Sequence, residues 1–412
     1  MEQAAVTRTN IAAFVLVAVS LGLGPTVHAQ APIKIGASIA QTGASASLAK
    51  IQLRGYQMCV KHTNEKGGVL GRKLELVVYD DASAPSTAVL LYEKLITQDK
   101  VDLVLGPNSS TITEAVADVT EKHKMPMVAP IAPVSSIYKK GRKYIFGAFS
   151  PAEAYLEGLI DLAAKKGLKT VALINPDELF ARAVAQGTLE LAKKKGLQVV
   201  LLEAYPQGST DFSAIMAKVL AAKPDVLAGP TRSFDDAVAI IRQMKASNVN
   251  PRMVGLTTGV DLPRFYEALG RDAEFVYGAT QWLPELVELR AGGLVPIARQ
   301  YAGAREFVES YTKEYSAADL HYNAAAGYGG CQILVEAVRR AGSLDREKIR
   351  DAILKMDYST VFGGFRVDGN GLQIAHKALM FQWQSGKKVI VWPEELTSAA
   401  PRFPTPEWSK RP

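Results

Sequence analysis

The chain has 412 residues, 48% of them hydrophobic and 22% charged, with a formal net charge of +7. At ~100–200 residues per domain it is too long for one ordinary core, and its composition is neither disordered nor membrane-saturated. The positive excess is not a nucleic-acid surface. The lysine runs Lys165-Lys166, Lys193-Lys194-Lys195 and Lys387-Lys388 fall at helix ends or in a turn, where they complement helix dipoles, instead of lining one element with interleaved aromatics.

In chain order, Arg8 precedes an apolar run over 11–23, and Val27-His28-Ala29 follows as a small-residue cleavage pattern. The run fits a signal h-region and is shorter than the about 20 residues that span a bilayer. Residues 1–29 are therefore expected to be a cleaved signal peptide, and the mature chain to lie in an extracytoplasmic space. An uncleaved anchor is the alternative, disfavoured by that length. The first cysteine is Cys59, so no lipid-anchored start is expected. Cys59 and Cys331, the two cysteines of the chain, both fall in predicted helices. They could pair in an oxidising compartment or be small buried hydrophobes.

From residue 33, apolar runs alternate with helical periodicity. Strands are expected at 33–40, 74–79, 101–105 and 127–131, with helices at 45–66, 85–98 and 110–122. A second block repeats the pattern: helices at 152–166, 180–195, 212–222 and 234–247, strands at 170–175, 199–204, 226–229 and 253–257. Near-continuous apolar strands separated by helices indicate parallel sheets covered on both faces. The fold class is thus α/β, with two doubly wound lobes. After a strand at 276–282 come helices at 301–315, 322–341 and 346–355, then a hairpin of 378–384 and 388–392. Residues 393–412 hold five prolines and are expected to lie extended on the surface.

Ligands of open α/β sheets bind beyond the carboxyl ends of strands, at helix N-termini. The loops at 41–48, 106–110, 130–136, 176–180, 229–234 and 257–261 fit that placement. Ser109 and Ser110 open a helix and suit a carboxylate; simple N-capping is the equal alternative. Arg232 is a candidate carboxylate partner or a solvated surface arginine. Phe180, Phe234 and Trp282 are candidates for an apolar lining or for core. Asp80-Asp81 reads as a turn before it reads as an acid/base pair. His123, His321 and His376 lack metal spacing, no dinucleotide, Walker or nucleophile-elbow motif is present, and no cofactor is expected.

Several stretches together resemble the branched-chain amino-acid class of periplasmic binding proteins, the leucine/isoleucine/valine-binding type. They are Ile33-Lys34-Ile35-Gly36, Gln41-Thr42-Gly43, Arg54-Gly55, Gly67-Gly68-Val69-Leu70-Gly71-Arg72, Asp80-Asp81, Gly106-Pro107 with Ser109-Ser110, Thr210-Asp211-Phe212-Ser213 and Gly363-Gly364-Phe365. The resemblance spans nearly the whole mature chain. It implies a type I periplasmic binding fold, two lobes joined by three hinge strands with crossings near Phe149, Gly278 and Tyr358. Lobe 1 would be 30–149 plus 279–358, lobe 2 would be 150–278 plus 359–392, and 393–412 a tail. It also implies a non-enzymatic monomer in the periplasm that captures a small-molecule solute for the membrane permease of an ABC importer.

Residue by residue, the family's amino-acid pocket is partly retained. Ser109 and Ser110 match its carboxylate-binding serine. Ile131-Ala132-Pro133 replaces an Ala-Ala-Thr loop, and Pro133 has neither hydroxyl nor N–H. Leu48 and Phe180 stand for two rim tyrosines, and Thr258 for the acid that holds the α-ammonium. A buried ammonium without a charge partner costs several kcal/mol. The expected solute is therefore an anionic or neutral, partly apolar one, such as an aromatic or aliphatic carboxylate. A branched-chain or other amino-acid or amide binder is the alternative, as is a ligand sensor on the same fold. A hydrolase using Ser109 or Ser110 lacks a recognisable base.

Overall fold

The computed structural model describes residues 1–2, 30–288 and 300–412; the expected signal segment lies outside the described residues, save its first two. The first sheet comprises β1 (Ile33–Ser38), β2 (Leu74–Tyr79), β3 (Leu103–Leu105), β4 (Met127–Ala129) and β5 (Ile145–Gly147). All are parallel, in the order β2-β1-β3-β4-β5. Helices α1 (Ala46–Glu65), α2 (Pro85–Thr97) and α3 (Ser110–Lys122) connect them.

The chain then enters a second α/β block through α4 (Glu157–Lys165). Strands β6 (Thr170–Pro176), β7 (Gln198–Tyr205), β8 (Val226–Gly229), β9 (Met253–Leu256) and β10 (Val276–Thr280) lie parallel in the order β7-β6-β8-β9-β10. They alternate with α5 (Leu179–Lys194), α6 (Ser213–Ala222), α7 (Phe234–Ala246) and α8 (Pro263–Leu269). Val171 to Ile174 are fully buried, as a strand covered on both faces must be. Each block therefore repeats one strand order, with its reversal beside the first strand: between β1 and β3, and between β6 and β8.

After β10 the chain returns to the first block with α9 (Ala304–Glu314), α10 (Tyr322–Ala341) and α11 (Arg346–Leu354). Helix α10 lies against α1 at backbone contact distance. A Cβ on Gly55 would sit 2.2 Å from the Ala324 carbonyl oxygen, and one on Gly327 would sit 2.4 Å from that of Gln52. Cys59 and Cys331 are bonded to each other along the same seam, with Cα atoms 6.2 Å apart; of the two readings open in the sequence, pairing is the one found. A short pair, β11 (Tyr358–Ser359) and β12 (Gly364–Phe365), precedes β13 (Leu379–Gln384) and β14 (Lys387–Trp392), which add antiparallel to the β10 edge of the second sheet.

Three segments pass between the blocks and bond to one another. Gln281 Nε2 donates to Ser150 Oγ at 2.8 Å, and the His376 ring lies 2.9 Å from the Gln281 carbonyl. Gln373 donates to the Ala148 carbonyl at 3.1 Å. The second passage falls after Gly278, because β10 runs on to Thr280 inside the second sheet. Elements absent from the sequence reading are β5, α8 and the β11–β12 pair, all too short for a period to show. The expected helix at 152–166 is a 3-10 turn at Ala152–Ala154 followed by α4.

The 393–412 segment is extended, but it is anchored as well as exposed. Trp408 donates to the Val249 carbonyl, and Arg411 donates to the Asp272 carbonyl and to Asn250 Oδ1; both side chains are buried. These anchors lie at the strands' amino ends, away from the loops considered next.

Candidate ligand-binding site

Both strand-order reversals open onto the same space. A crevice forms there because the loops leaving two neighbouring strands turn to opposite faces of the sheet. Here two such crevices face each other across a cavity of about 180 Å³. From the first block come Ser45, Ser47 and Leu48 after β1, Asn108, Ser109 and Ser110 after β3, and Ile131 and Pro133 after β4. From the second come Glu178 and Phe180 after β6, Arg232, Ser233 and Phe234 after β8, and Thr258 and Leu262 after β9. Phe149 and Tyr155 enter from the first passage between the blocks, Tyr322 and Asn323 from the start of α10.

Six helices begin at this cavity, α1, α3, α5, α7, α8 and α10, but their positive ends are not equally satisfied. Glu178 caps α5, accepting from Phe180 N at 3.2 Å and Ala181 N at 2.8 Å. Ser233 caps α7 by accepting from Asp236 N, and Asp235 and Asp236 follow in the first turn. His321 caps α10 through Nδ1, which accepts from Asn323 N at 3.2 Å. Helices α1 and α3, and the short α8, have neither a side-chain cap nor an acid in the first turn. Ser109, which precedes α3, holds φ +100°, a conformation that disfavours any residue with a Cβ and is kept only where the surroundings impose it. Ser110 Oγ is buried without a hydrogen-bond partner.

The loop carrying Ser45 is shaped by Asp80, whose carboxylate accepts from Gln41 N and Thr42 Oγ1, both at 2.8 Å. Asp81 accepts from Ser38 Oγ at 2.8 Å. Opposite, Arg232 reaches across the cleft and donates to Ser45 Oγ at 3.3 Å. Among the described residues no carboxylate lies within ion-pairing distance of its guanidinium. Burial holds the Glu178 carboxyl above the ordinary range, against the pull of its two amide donors and of Arg232. The apolar wall is aromatic: Tyr155 meets Phe180 edge-on at 5.1 Å, and Phe149 meets Tyr322 at 5.8 Å. Arg264 lies over the Phe234 ring at 4.3 Å.

The periplasmic binding protein family profile matches residues 32–388. The chain belongs to the periplasmic binding proteins. Leu/Ile/Val-binding protein homolog 7 of Brucella suis biovar 1 is 27% identical over 409 residues, covering 94% of this chain and 99% of that one. The leucine-binding protein LivK of Thermotoga maritima is similar at 25% identity and a TM-score of 0.75, covering 87% of this chain and 97% of its own. A solute-binding protein of an ABC transporter from Rhodopseudomonas palustris, solved with benzoate, has the same fold at 20% identity and a TM-score of 0.73, covering 89% and 98%.

This is therefore a branched-chain amino-acid-type periplasmic binding protein, a solute-binding component of the ABC-importer kind. Family and fold are those of substrate-binding proteins, not of enzymes. Of the residues singled out in the sequence, Leu48, Ser109, Ser110, Ile131, Phe180, Arg232, Phe234 and Thr258 line this same cavity of the periplasmic binding protein. Two others do not. Ala132 points into the first block's core, and its carbonyl accepts from the buried Tyr138 hydroxyl at 2.8 Å. Trp282 is fully buried, edge-on to Phe307 at 6.0 Å. It comes two residues after the end of β10 at Thr280. The sequence reading missed Tyr155, Glu178, Arg264, Tyr322 and Asn323. Glu178 was within reach as an acidic N-cap inside the 176–180 loop. Tyr322 and Asn323 were not, because nothing local says that α10 returns to the first block.

Proposed function

We propose that this binding protein captures a small carboxylate-bearing, partly apolar solute, aromatic or branched aliphatic, and presents it to its importer. The observation that carries the reading is the uncapped start of α3, where Ser110 Oγ has no partner, together with an arginine that no carboxylate among the described residues approaches to ion-pairing distance. Free helix-start amides and a guanidinium together favour an anion. Aromatic walls favour an apolar body, and a cavity of about 180 Å³ favours a small one. The acids that line the cavity are Glu178, engaged in capping α5, and the exposed Asp235; the position that matches the family's ammonium-binding acid is Thr258. The benzoate bound by the Rhodopseudomonas relative is the right kind of molecule.

The test is thermal stabilisation of the purified protein against carboxylates, amides and α-amino acids. A ligand at a hundred times its Kd raises stability by about 2.7 kcal/mol. Carboxylates are expected to stabilise, and Arg232→Ala to weaken them by about 1.5–3 kcal/mol, the worth of a hydrogen bond to a charged group. Stabilisation by α-amino acids alone would overturn the carboxylate reading while leaving the family intact.

A further inference from the structure

Strands β8 and β9 pair in parallel as far as Gly229 and Leu256, where their ladder of backbone bonds ends. Just beyond it stand two threonines, Thr231 and Thr257, and their side chains take the ladder's place. Thr231 N donates to Thr257 Oγ1 at 2.9 Å, and Thr257 N donates to Thr231 Oγ1 at 3.3 Å. The Thr257 hydroxyl donates onward to the Thr231 carbonyl at 2.9 Å, and the Thr231 hydroxyl to the Thr258 carbonyl at 2.9 Å. Each hydroxyl thus accepts once and donates once, a double role that an aliphatic side chain of the same size lacks. Thr231 and Thr257 are 0% and 1% exposed, and the cavity lining does not include them. It does include their chain neighbours, Arg232 after the first and Thr258 after the second. Arg232 N is tied in turn to Asp236 Oδ2 at 3.2 Å, in the first turn of α7. The backbone at Arg232 is held on both sides before its side chain starts across the cleft to Ser45.

We infer that Thr231 and Thr257 are positioning residues for ligand binding: their clasp joins the β8 and β9 loops into one wall and sets where Arg232 enters the cleft. This rests on the carboxylate reading above and deepens it by two residues that touch no ligand. An arginine side chain is long and rich in rotamers, so the anchoring of its backbone decides where the guanidinium can meet a carboxylate. A wall fixed in advance also lowers the ordering cost that binding would otherwise carry.

The test compares each carboxylate with its uncharged amide by calorimetry on the purified protein: benzoate with benzamide, and 4-methylpentanoate with 4-methylpentanamide. The native protein is expected to prefer the carboxylate. Thr231→Val and Thr257→Val keep the shape and remove the hydroxyl. Each is expected to cut carboxylate affinity about threefold to tenfold, the effect of one net hydrogen bond, with amide affinity nearly unchanged. Thr231→Ser and Thr257→Ser should keep the native preference. In an Arg232→Ala background the valine variants should not change the remaining carboxylate-to-amide ratio, because the residue they position is gone. A native ratio in the folded valine variants, serine variants as impaired as the valine ones, or a loss that persists without Arg232 overturns the inference and leaves the carboxylate reading standing. A ratio that Arg232→Ala leaves unchanged, or no carboxylate binding at all, sinks the reading above and this inference with it. Where a valine variant does not fold, hydrogen exchange on the native protein decides. Thr231 and Thr257 amides as protected before benzoate as after it support a clasp set in advance; rapid exchange in the unliganded protein overturns it.

Discussion

At the scale of single residues, the cavity is a problem of unequal charges. Arg232 faces the cleft with Glu178 and Asp236 close enough to feel its charge, and burial holds both carboxyls above their ordinary range. A protonated Glu178 no longer repels an anionic ligand. Affinity for a carboxylate should therefore rise as pH falls through the raised Glu178 pKa, as long as the ligand carboxylate, of ordinary pKa near 4, remains ionised. The sign reverses below that, once the ligand itself protonates. Titration calorimetry across this range should show the rise, and Glu178→Gln should flatten it; a flat profile in the native protein would remove Glu178 from the site's electrostatics. Residue types alone gave away part of this. Ser109, Ser110 and Arg232 stood in loops that any doubly wound sheet points outward. Ala132 and Trp282 misled because a residue adjacent to a binding loop and one inside it look alike until the backbone direction is known.

At the scale of elements, the seam between α1 and α10 decides how the first block holds its returning segment. Glycines 55 and 327 let the two backbones touch, and the Cys59–Cys331 bond closes a loop of most of the chain. Such a cross-link removes freedom from the unfolded chain and is worth about 2–5 kcal/mol in small secreted domains. Cys59→Ser with Cys331→Ser should lower the unfolding midpoint measurably. Ligand affinity should be nearly unchanged, since Cys59 lies about 16 Å along α1 from Leu48 at 1.5 Å per residue. A large loss of affinity with an unchanged midpoint would contradict this division of labour. The long helices and buried strands were readable in the sequence because their periods run for many residues. The α1–α10 contact was not, since it depends on two helices separated by the whole second block. The pairing of the cysteines was hidden for the same reason.

At the scale of the whole molecule, two blocks with the same strand order present their reversal points to each other, and three chain passages hold them at one end. The two α/β halves followed from the alternation of strands and helices; their facing crevices needed the three passages, which no local pattern marks. The buried pair of Asp261 and His321, 3.1 Å apart, also crosses from one block to the other. All four tryptophans of the chain, Trp282, Trp383, Trp392 and Trp408, lie after the first sheet. Trp282 stands where β10 leaves the second sheet, with its ring against Phe307 of α9 on the other side. Its indole N–H is buried and unbonded. Its fluorescence is therefore expected to respond to any change in how the two halves meet. If ligand binding changes the angle between the halves, emission should change in intensity or wavelength on titration with ligand. In Trp282→Phe that optical signal should vanish while heats of binding persist. The protein would then report its own opening and closing, in the light it emits, without any label attached.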